Sequence, residues 1–226
     1  MSLGRRVTVR AVVLLALALG MIFVPAGSFR YWQGWAFLAA FFLPGLFAFI
    51  YFLTYDRELV ARRLRHREKT EVQERPMRWG FRLFLVAFLL PGFDFRWGWS
   101  RRLFGGVPVW LTITALATVV GGFLLVWWTL KVNSFAGRTI EVEAGQTVIS
   151  SGPYTWVRHP MYAGSLLVWV STPLALGSWV ALPAFASLIP FYALRLLNEE
   201  KVLRAELPGY PEYCLKTRYR LIPFLW

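Results

Sequence analysis

Residues 32–55 read WQGWAFLAAFFLPGLFAFIYFLTY, without one charged side chain. A bilayer's hydrocarbon core is ~30 Å thick, and about 20 apolar residues of α-helix cross it. The stretch therefore predicts a membrane-spanning helix, with a bend at Pro44-Gly45 of the kind that neighbouring helices tolerate in lipid. The rest of the chain agrees. It has 226 residues, of which 57% are hydrophobic, and a mean hydropathy of +0.49. Soluble domains sit nearer 45–50% apolar. An integral membrane protein is implied, of a length that suits one compact helical domain.

Further apolar runs lie on both sides of this stretch. A first span is expected at roughly Val9–Val24. Arg5, Arg6 and Arg10 ahead of it and Pro25-Ala26-Gly27-Ser28 behind it resemble a signal peptide. An uncleaved span accounts for the pattern equally well and is preferred, because the downstream chain is membrane-embedded too. A third run, near Phe81–Phe93, is short and reads as tilted or partly inserted. Asp94–Gly106 reads as a turn region anchored by Trp97 and Trp99, and a fourth span is near Val107–Leu130. A hairpin closes the set: Met161–Leu176 out, Gly177-Ser178 as the turn, Trp179–Leu197 back. The expected fold is all-α, a polytopic transmembrane helical bundle of about six spans (five to seven). A small cytoplasmic C-terminal region completes it, with an amphipathic helix from Glu199 to about Leu207 and a break at Pro208-Gly209. The division is residues 1–130, transmembrane helices with a basic loop at 56–82, and residues 131–226, a linker, the hairpin and the tail.

The formal charge of +13 does not point to nucleic acid, because the basic residues flank the apolar runs. That is the positive-inside pattern, and it also attracts anionic lipid headgroups. Asp56–Arg82 holds nine basic residues against five acidic ones. Its first half, Arg57–Arg67, carries Leu59, Val60 and Leu64 and reads as an interfacial helix, either a solvated loop or a headgroup-facing surface. Loop charges place the N-terminus, 56–82, 131–158 and the C-terminal tail on the cytoplasmic side. In the linker, Thr139-Ile140-Glu141-Val142-Glu143 alternates and Thr147-Val148-Ile149 runs apolar, the pattern of a small β-hairpin. Cys214 is the single cysteine, so no intrachain disulfide or cysteine-based zinc site exists. No metal site is expected.

The chemistry-bearing residues gather at the open end of the last hairpin. Arg158-His159-Pro160-Met161-Tyr162 leads into it and Asn198-Glu199-Glu200 leaves it. Proline suits the first position of a helix, so Tyr154 and His159 are delivered to a helix start. On the return arm Arg195 and Glu199, at i and i+4, share one helix side. A guanidinium that deep in an apolar arm marks a functional site by default. A plain Arg195–Glu199 ion pair, a capping His159, a snorkelling Arg158 and water-side capping by Glu199 and Glu200 are the bland alternatives.

These residues resemble the isoprenylcysteine carboxyl methyltransferase family of membrane enzymes, marked by an Arg-His-Pro-x-Tyr motif, a hydrophobic hairpin and a Glu-Glu pair. Gln146 to Tyr154 is similar to the family's lead-in. Gly209-Tyr210-Pro211-Glu212-Tyr213 and Arg218 to Pro223 resemble its C-terminal end. The resemblance covers about residues 133–226. It implies S-adenosylmethionine as methyl donor, held on the cytoplasmic side by Gln146, Thr147, Val148, Ile149, Tyr154, His159, Pro160, Met161, Tyr162 and Glu199. It implies Arg195 facing the carboxylate of a lipid-like acceptor that enters from the bilayer, with Arg195 and Glu199 as the catalytic pair. Phospholipid amines and thiols are alternative acceptors. The ending Tyr210 to Pro223 also resembles the C-termini of membrane sterol reductases, which use NADPH, and a non-enzymatic scaffold is the third reading. No Gly-x-Gly turn of a soluble nucleotide-binding unit is present.

Overall fold

A computed structural model of the chain describes residues 3–64, 71–135, 142 and 145–226, and every regular element among them is helical. In chain order these are α1 (Leu3–Ala26), α2 (Trp32–Tyr55), α3 (Arg57–Leu64), α4 (Glu71–Trp97), α5 (Trp99–Phe104), α6 (Val109–Val132), a 3₁₀ turn at Gly152–Thr155, α7 (Pro160–Ala175), α8 (Leu182–Ala186), α9 (Ile189–Glu206) and α10 (Tyr210–Lys216).

Two of these, α2 and α6, are each long and apolar enough to cross a bilayer, and α1 carries a shorter apolar run at Ala11–Ala26. α2 coincides with the expected second span and continues through Pro44. The 16 residues of α7 rise about 24 Å at 1.5 Å each, less than the ~30 Å core on their own. The return arm is split, with Pro183 opening α8 and Pro190 opening α9.

Three expectations need correction. The third apolar run is the middle of a helix of 27 residues, α4, which continues through Asp94 to Trp97. Its first turns have the polarity of a loop, yet Glu, Gln, Arg and Met are good helix formers; polarity there marks water, not the end of a helix. The separate amphipathic helix after Glu199 is the last part of α9, which runs unbroken to Glu206. The linker β-hairpin falls partly on residues 139–141 and 143–144, outside the described residues; Thr147–Ile149, which is described, forms no strand. Of the expected Arg57–Arg67 helix, residues 65–67 also lie outside the described residues.

The main core draws on both halves of the chain. Ile22 and Phe23 of α1, Phe37 of α2 and Phe88 of α4 join Val119 of α6, Val168 of α7 and Phe185 of α8. The most extensive helix pair is α6 against α7. A Cβ on Gly122 would lie 2.6 Å from the Gly164 carbonyl, and one on Gly164 would lie 2.7 Å from the Gly122 carbonyl. Two hydrogens in place of two side chains let these backbones touch, the usual device for packing helices in lipid.

Polar groups pin the turn of the hairpin. Asp94, 3% exposed, accepts from the Ser100 amide at 2.7 Å, from the Ser100 hydroxyl and from the Ser178 hydroxyl at 2.5 Å. Ser100 Oγ in turn accepts from the Trp179 amide at 2.8 Å. The Tyr31 hydroxyl donates to the Leu176 carbonyl. A buried carboxylate needs such saturation. The Asp94 and Ser100 bonds tie α4 and α5 to residues 178–180, at the end of α7 remote from His159.

Candidate active site

Pro160 opens α7, its φ already helical and its missing N–H no loss at a helix start. Residues 158 and 159 therefore arrive unwound, and the C-terminal tail pairs with them. The Arg158 amide donates to the Tyr219 carbonyl at 2.9 Å and the His159 amide to the Arg220 carbonyl at 3.0 Å. The segment from 218 onward is thus fastened to the motif through its backbone.

His159 is 4% exposed. Its ring stands edge-on to Tyr162 with centroids 5.9 Å apart, and Nε2 lies 3.5 Å from the Tyr210 hydroxyl. Burial pushes its pKa down to about 4; the Glu200 charge opposes this, and Arg158 and Arg220 reinforce it. The imidazole is neutral at physiological pH and serves as a hydrogen-bonding group, not as a proton carrier poised near 7.

Two turns of helix meet beside it. The Tyr162 hydroxyl donates to Glu199 Oε2 at 2.6 Å. The Arg195 charge acts on both Glu199 and Tyr162. Tyr162 and Glu199 are therefore brought together by a hydrogen bond, and the Arg195 charge is felt by both.

The 3₁₀ turn brings Tyr154 to the same region. Its hydroxyl accepts from Asn133 Nδ2 at 2.8 Å. Its carbonyl accepts from the Tyr213 hydroxyl at 2.7 Å and from Thr217 Oγ1 at 3.3 Å. Burial pushes the phenol up to about 12; the Glu199 charge adds to this, while the Asn133 bond and the Arg63 charge oppose it. Tyr154 is thus a neutral phenol within the reach of both charges.

Glu199 and Glu200 part company, because successive helix residues point about 100° apart. Glu200 turns to the tail, and its side chain is 4% exposed. Its carboxylate pairs with Arg158, with Arg204 at 2.9 Å and with Arg220 Nε at 2.6 Å. Arg158 Nη2 also donates to the Arg218 carbonyl at 2.9 Å. Three guanidiniums from three segments share one carboxylate, and the net positive charge of this group lies beside the motif.

The other expected residues divide. Met161 turns towards α3 and α6, packing on the cluster of Phe52, Leu59, Val60 and Leu130. Pro160 is buried at the helix start. Val148 packs with Leu207, Tyr210, Tyr213, Cys214 and Tyr154 under α10. Its neighbour Thr147 is exposed, while Gln146 and Ile149 are half-buried. Cys214 is a buried member of that apolar cluster, as an ordinary packed cysteine would be.

Sequence reasoning missed Asn133, Tyr210, Arg63 and the set around Glu200. The i, i+4 spacing of Glu200 and Arg204 was a legible signal. Nothing in the spacing of Asn133, Arg220 or Arg63 announced their partners. A surface cleft of about 440 Å³ between the 3₁₀ turn and the tail is lined by residues including Trp156, Lys216, Arg218 and Phe224. None of the expected site residues lines it.

Residues 110–207 match the family described as phospholipid methyltransferase. That family stands with the isoprenylcysteine carboxyl methyltransferases in the integral membrane methyltransferase group. The match supports a membrane methyltransferase. It covers α6, the motif, the hairpin and α9, and stops short of α10 and the tail. The chain is also similar to Delta(14)-sterol reductase of Mus musculus, 30% identical over 135 residues. That alignment takes in 54% of this chain and 32% of the reductase, so the chain spans about a third of the length of that relative.

Proposed function

We propose that the protein is an integral membrane, multi-pass methyltransferase that uses S-adenosylmethionine to methylate the carboxylate of an amphiphilic, lipid-like acceptor. The observation that carries this reading is the meeting of Tyr162 with Glu199, under the charge of Arg195, inside the stretch matched to phospholipid methyltransferase.

The side chains fit such a donor chemically. A sulfonium, an amine and ribose hydroxyls call for acceptor oxygens, and Glu199 supplies a carboxylate that the Tyr162 hydroxyl orients. When bound, S-adenosylmethionine supplies an electrophilic methyl group. Glu199 would hold its amine or a hydroxyl, and Tyr154 and the neutral His159 would supply further hydrogen bonds. Arg195 would grip the acceptor carboxylate through two parallel N–H bonds. A carboxylate is already ionised at neutral pH, so no general base is needed, which agrees with a His159 whose pKa is near 4. In-line positioning and the exclusion of water would carry the rate. The lipid part of the acceptor would enter from the bilayer.

A second reading, methylation of a phospholipid amine, is favoured by the description of the matched family. Glu199 would then face the amine. The two differ in pH dependence: an amine must lose its proton before attack, so turnover would rise with pH through neutrality, whereas a carboxylate acceptor gives a flat profile there.

Calorimetric titration of the detergent-purified chain with S-adenosylmethionine and, separately, with NADPH tests the reading. Saturable binding of the first that His159→Ala loses is expected. Binding of NADPH alone would move the reading to a reductase, and binding of neither would favour a non-enzymatic membrane protein.

A further inference from the structure

One face of α6 is left open by the other helices and leads to the cleft beside the tail. Ala117, Gly121 and Leu124 are exposed, and with Trp128 they recur at steps of four, three and four, the spacing of a single helix face. From Ala117 to Trp128 the helix rises about 16 Å at 1.5 Å per residue, roughly half of a bilayer core of ~30 Å. The middle of this stripe is a shallow channel, since a Cβ on Gly121 would meet nothing within 4 Å. At its head Trp128 meets Trp156 edge-on, with ring centroids 5.3 Å apart. The 3₁₀ turn is pressed against the end of α6, where a Cβ on Gly152 would lie 3.2 Å from a Val132 methyl. Trp156 is exposed, and tryptophans at the end of an apolar helix mark the headgroup level of a membrane.

Trp156 is also a wall of the cleft, together with Lys216, Arg218 and Phe224. Both cations are exposed, and neither has an ion-pair partner among the described residues. No acidic side chain is among the described residues that line the cleft. Arg218 is fixed through its carbonyl, which accepts from Arg158 at 2.9 Å. Phe224 is 89% exposed and has a φ of +66°, a left-handed backbone that is costly for a bulky residue. Its ring leans on Tyr219, with centroids 5.4 Å apart, and so stays at the rim. An apolar channel of one leaflet's length, headed by aromatic rings and two cations, matches an acyl chain that carries a phosphate. A guanidinium and an ammonium both take phosphate, but a free phosphate would leave the channel without a role.

We propose that this face binds an anionic phospholipid of the surrounding bilayer, with its phosphate on Lys216 and Arg218 and an acyl chain along Leu124, Gly121 and Ala117. The site shares no residue with the one assigned to methyl transfer. It rests on the reading of α6 as a membrane span and not on the methyltransferase reading.

Native mass spectrometry of the full chain released from detergent tests it by the affinity of the first bound lipid. Dioleoyl phosphatidylglycerol should bind about tenfold more tightly than dioleoyl phosphatidylcholine, and the double variant Lys216→Ala, Arg218→Ala should lose that preference. Gly121→Leu should weaken phosphatidylglycerol by about tenfold, because leucine fills the channel while suiting a helix better than glycine. Ala117→Leu, on the same exposed face, takes its place if thermal unfolding shows Gly121→Leu to be misfolded. Glycerophosphoglycerol, the headgroup without chains, and inorganic phosphate should both compete weakly. Equal affinity for the two lipids, or a preference that survives the double variant, overturns the site. Binding indifferent to a filled channel overturns the acyl path and with it the lipid. Displacement by inorganic phosphate at the concentration of the lipid would hand the cleft to a free anion instead. Release of the chain from vesicles by alkaline extraction would overturn the membrane reading itself, whereas an embedded chain indifferent to headgroup charge would sink only this site.

Discussion

The Tyr162 hydroxyl donates to the Glu199 carboxylate across 2.6 Å, although 37 residues of hairpin separate them. The bond fixes which Glu199 oxygen remains available to a ligand, and Arg195 lies one helical turn away on the same side.

Glu199→Ala should abolish donor binding, and Tyr162→Phe should weaken it by about tenfold, the ~1.4 kcal/mol expected of one charge-assisted hydrogen bond. Arg195→Ala should leave donor affinity intact and remove turnover with an acceptor. Calorimetry beside a radiolabelled methyl-transfer assay separates these roles. Equal loss of both quantities in Arg195→Ala would take the acceptor role away from it.

Glu200 is predicted to act on stability and on the tail. Its removal leaves Arg158, whose side chain is 6% exposed, charged and buried without its carboxylate, at a cost of about 3–5 kcal/mol. Arg204→Ala should cost no more than about 1 kcal/mol, because that side chain is 45% exposed and an exposed pair contributes little. Chemical unfolding in detergent, with limited proteolysis near residue 218 as a second readout, checks the contrast.

His159 gives a pH signature. Its folded pKa of about 4 lies below the ~6.5 of a free imidazole. Between those values the unfolded chain binds a proton that the folded chain refuses. The contribution is therefore fully present above about pH 6.5 and lost as pH falls towards 4, by about 3 kcal/mol in all. His159→Gln, neutral throughout, should flatten the stability profile over that window relative to wild type. Parallel profiles for the two proteins would mean that the ring is not held neutral by burial.

Gly164→Ala should damage folding without touching any site residue. The added Cβ meets the Gly122 carbonyl at 2.7 Å and a Val126 methyl at 2.9 Å, and backbone cannot step aside as a side-chain tip can. A loss of about 1–3 kcal/mol is expected, read as a lower melting temperature with donor affinity retained in the folded fraction.

The legible parts of this fold were those with a local cause. Residues 32–55 announce α2 by apolar length alone, and Pro160 with Gly177-Ser178 announces where α7 starts and turns. α4 was obscured because its first turns are charged, and composition signals water more strongly than it signals helix. In the site, the Arg195–Glu199 face was readable from helical spacing. The Tyr162 bridge required knowing how α7 and α9 are juxtaposed. The arginines around Glu200 required knowing where the tail folds back. Arg63 lay beyond reach, since 98 residues separate it from Met161 and only the burial of Leu59 and Val60 brings α3 there.

The knot at Asp94 makes the two ends of the last hairpin respond differently to dissolved salt. At the Ser178 end the carboxylate is satisfied by hydroxyls and an amide, short-range bonds that mobile ions barely affect. At the His159 end the tail is held by two backbone bonds and by the pair of Arg220 with Glu200, whose guanidinium is partly open to water and so exposed to screening. Rising ionic strength thus weakens one contact where the tail covers the motif, the Arg220–Glu200 pair, and leaves the far side locked. Purification in high salt and assay in low salt would then differ in how firmly the tail is held, and not in how the hairpin turns.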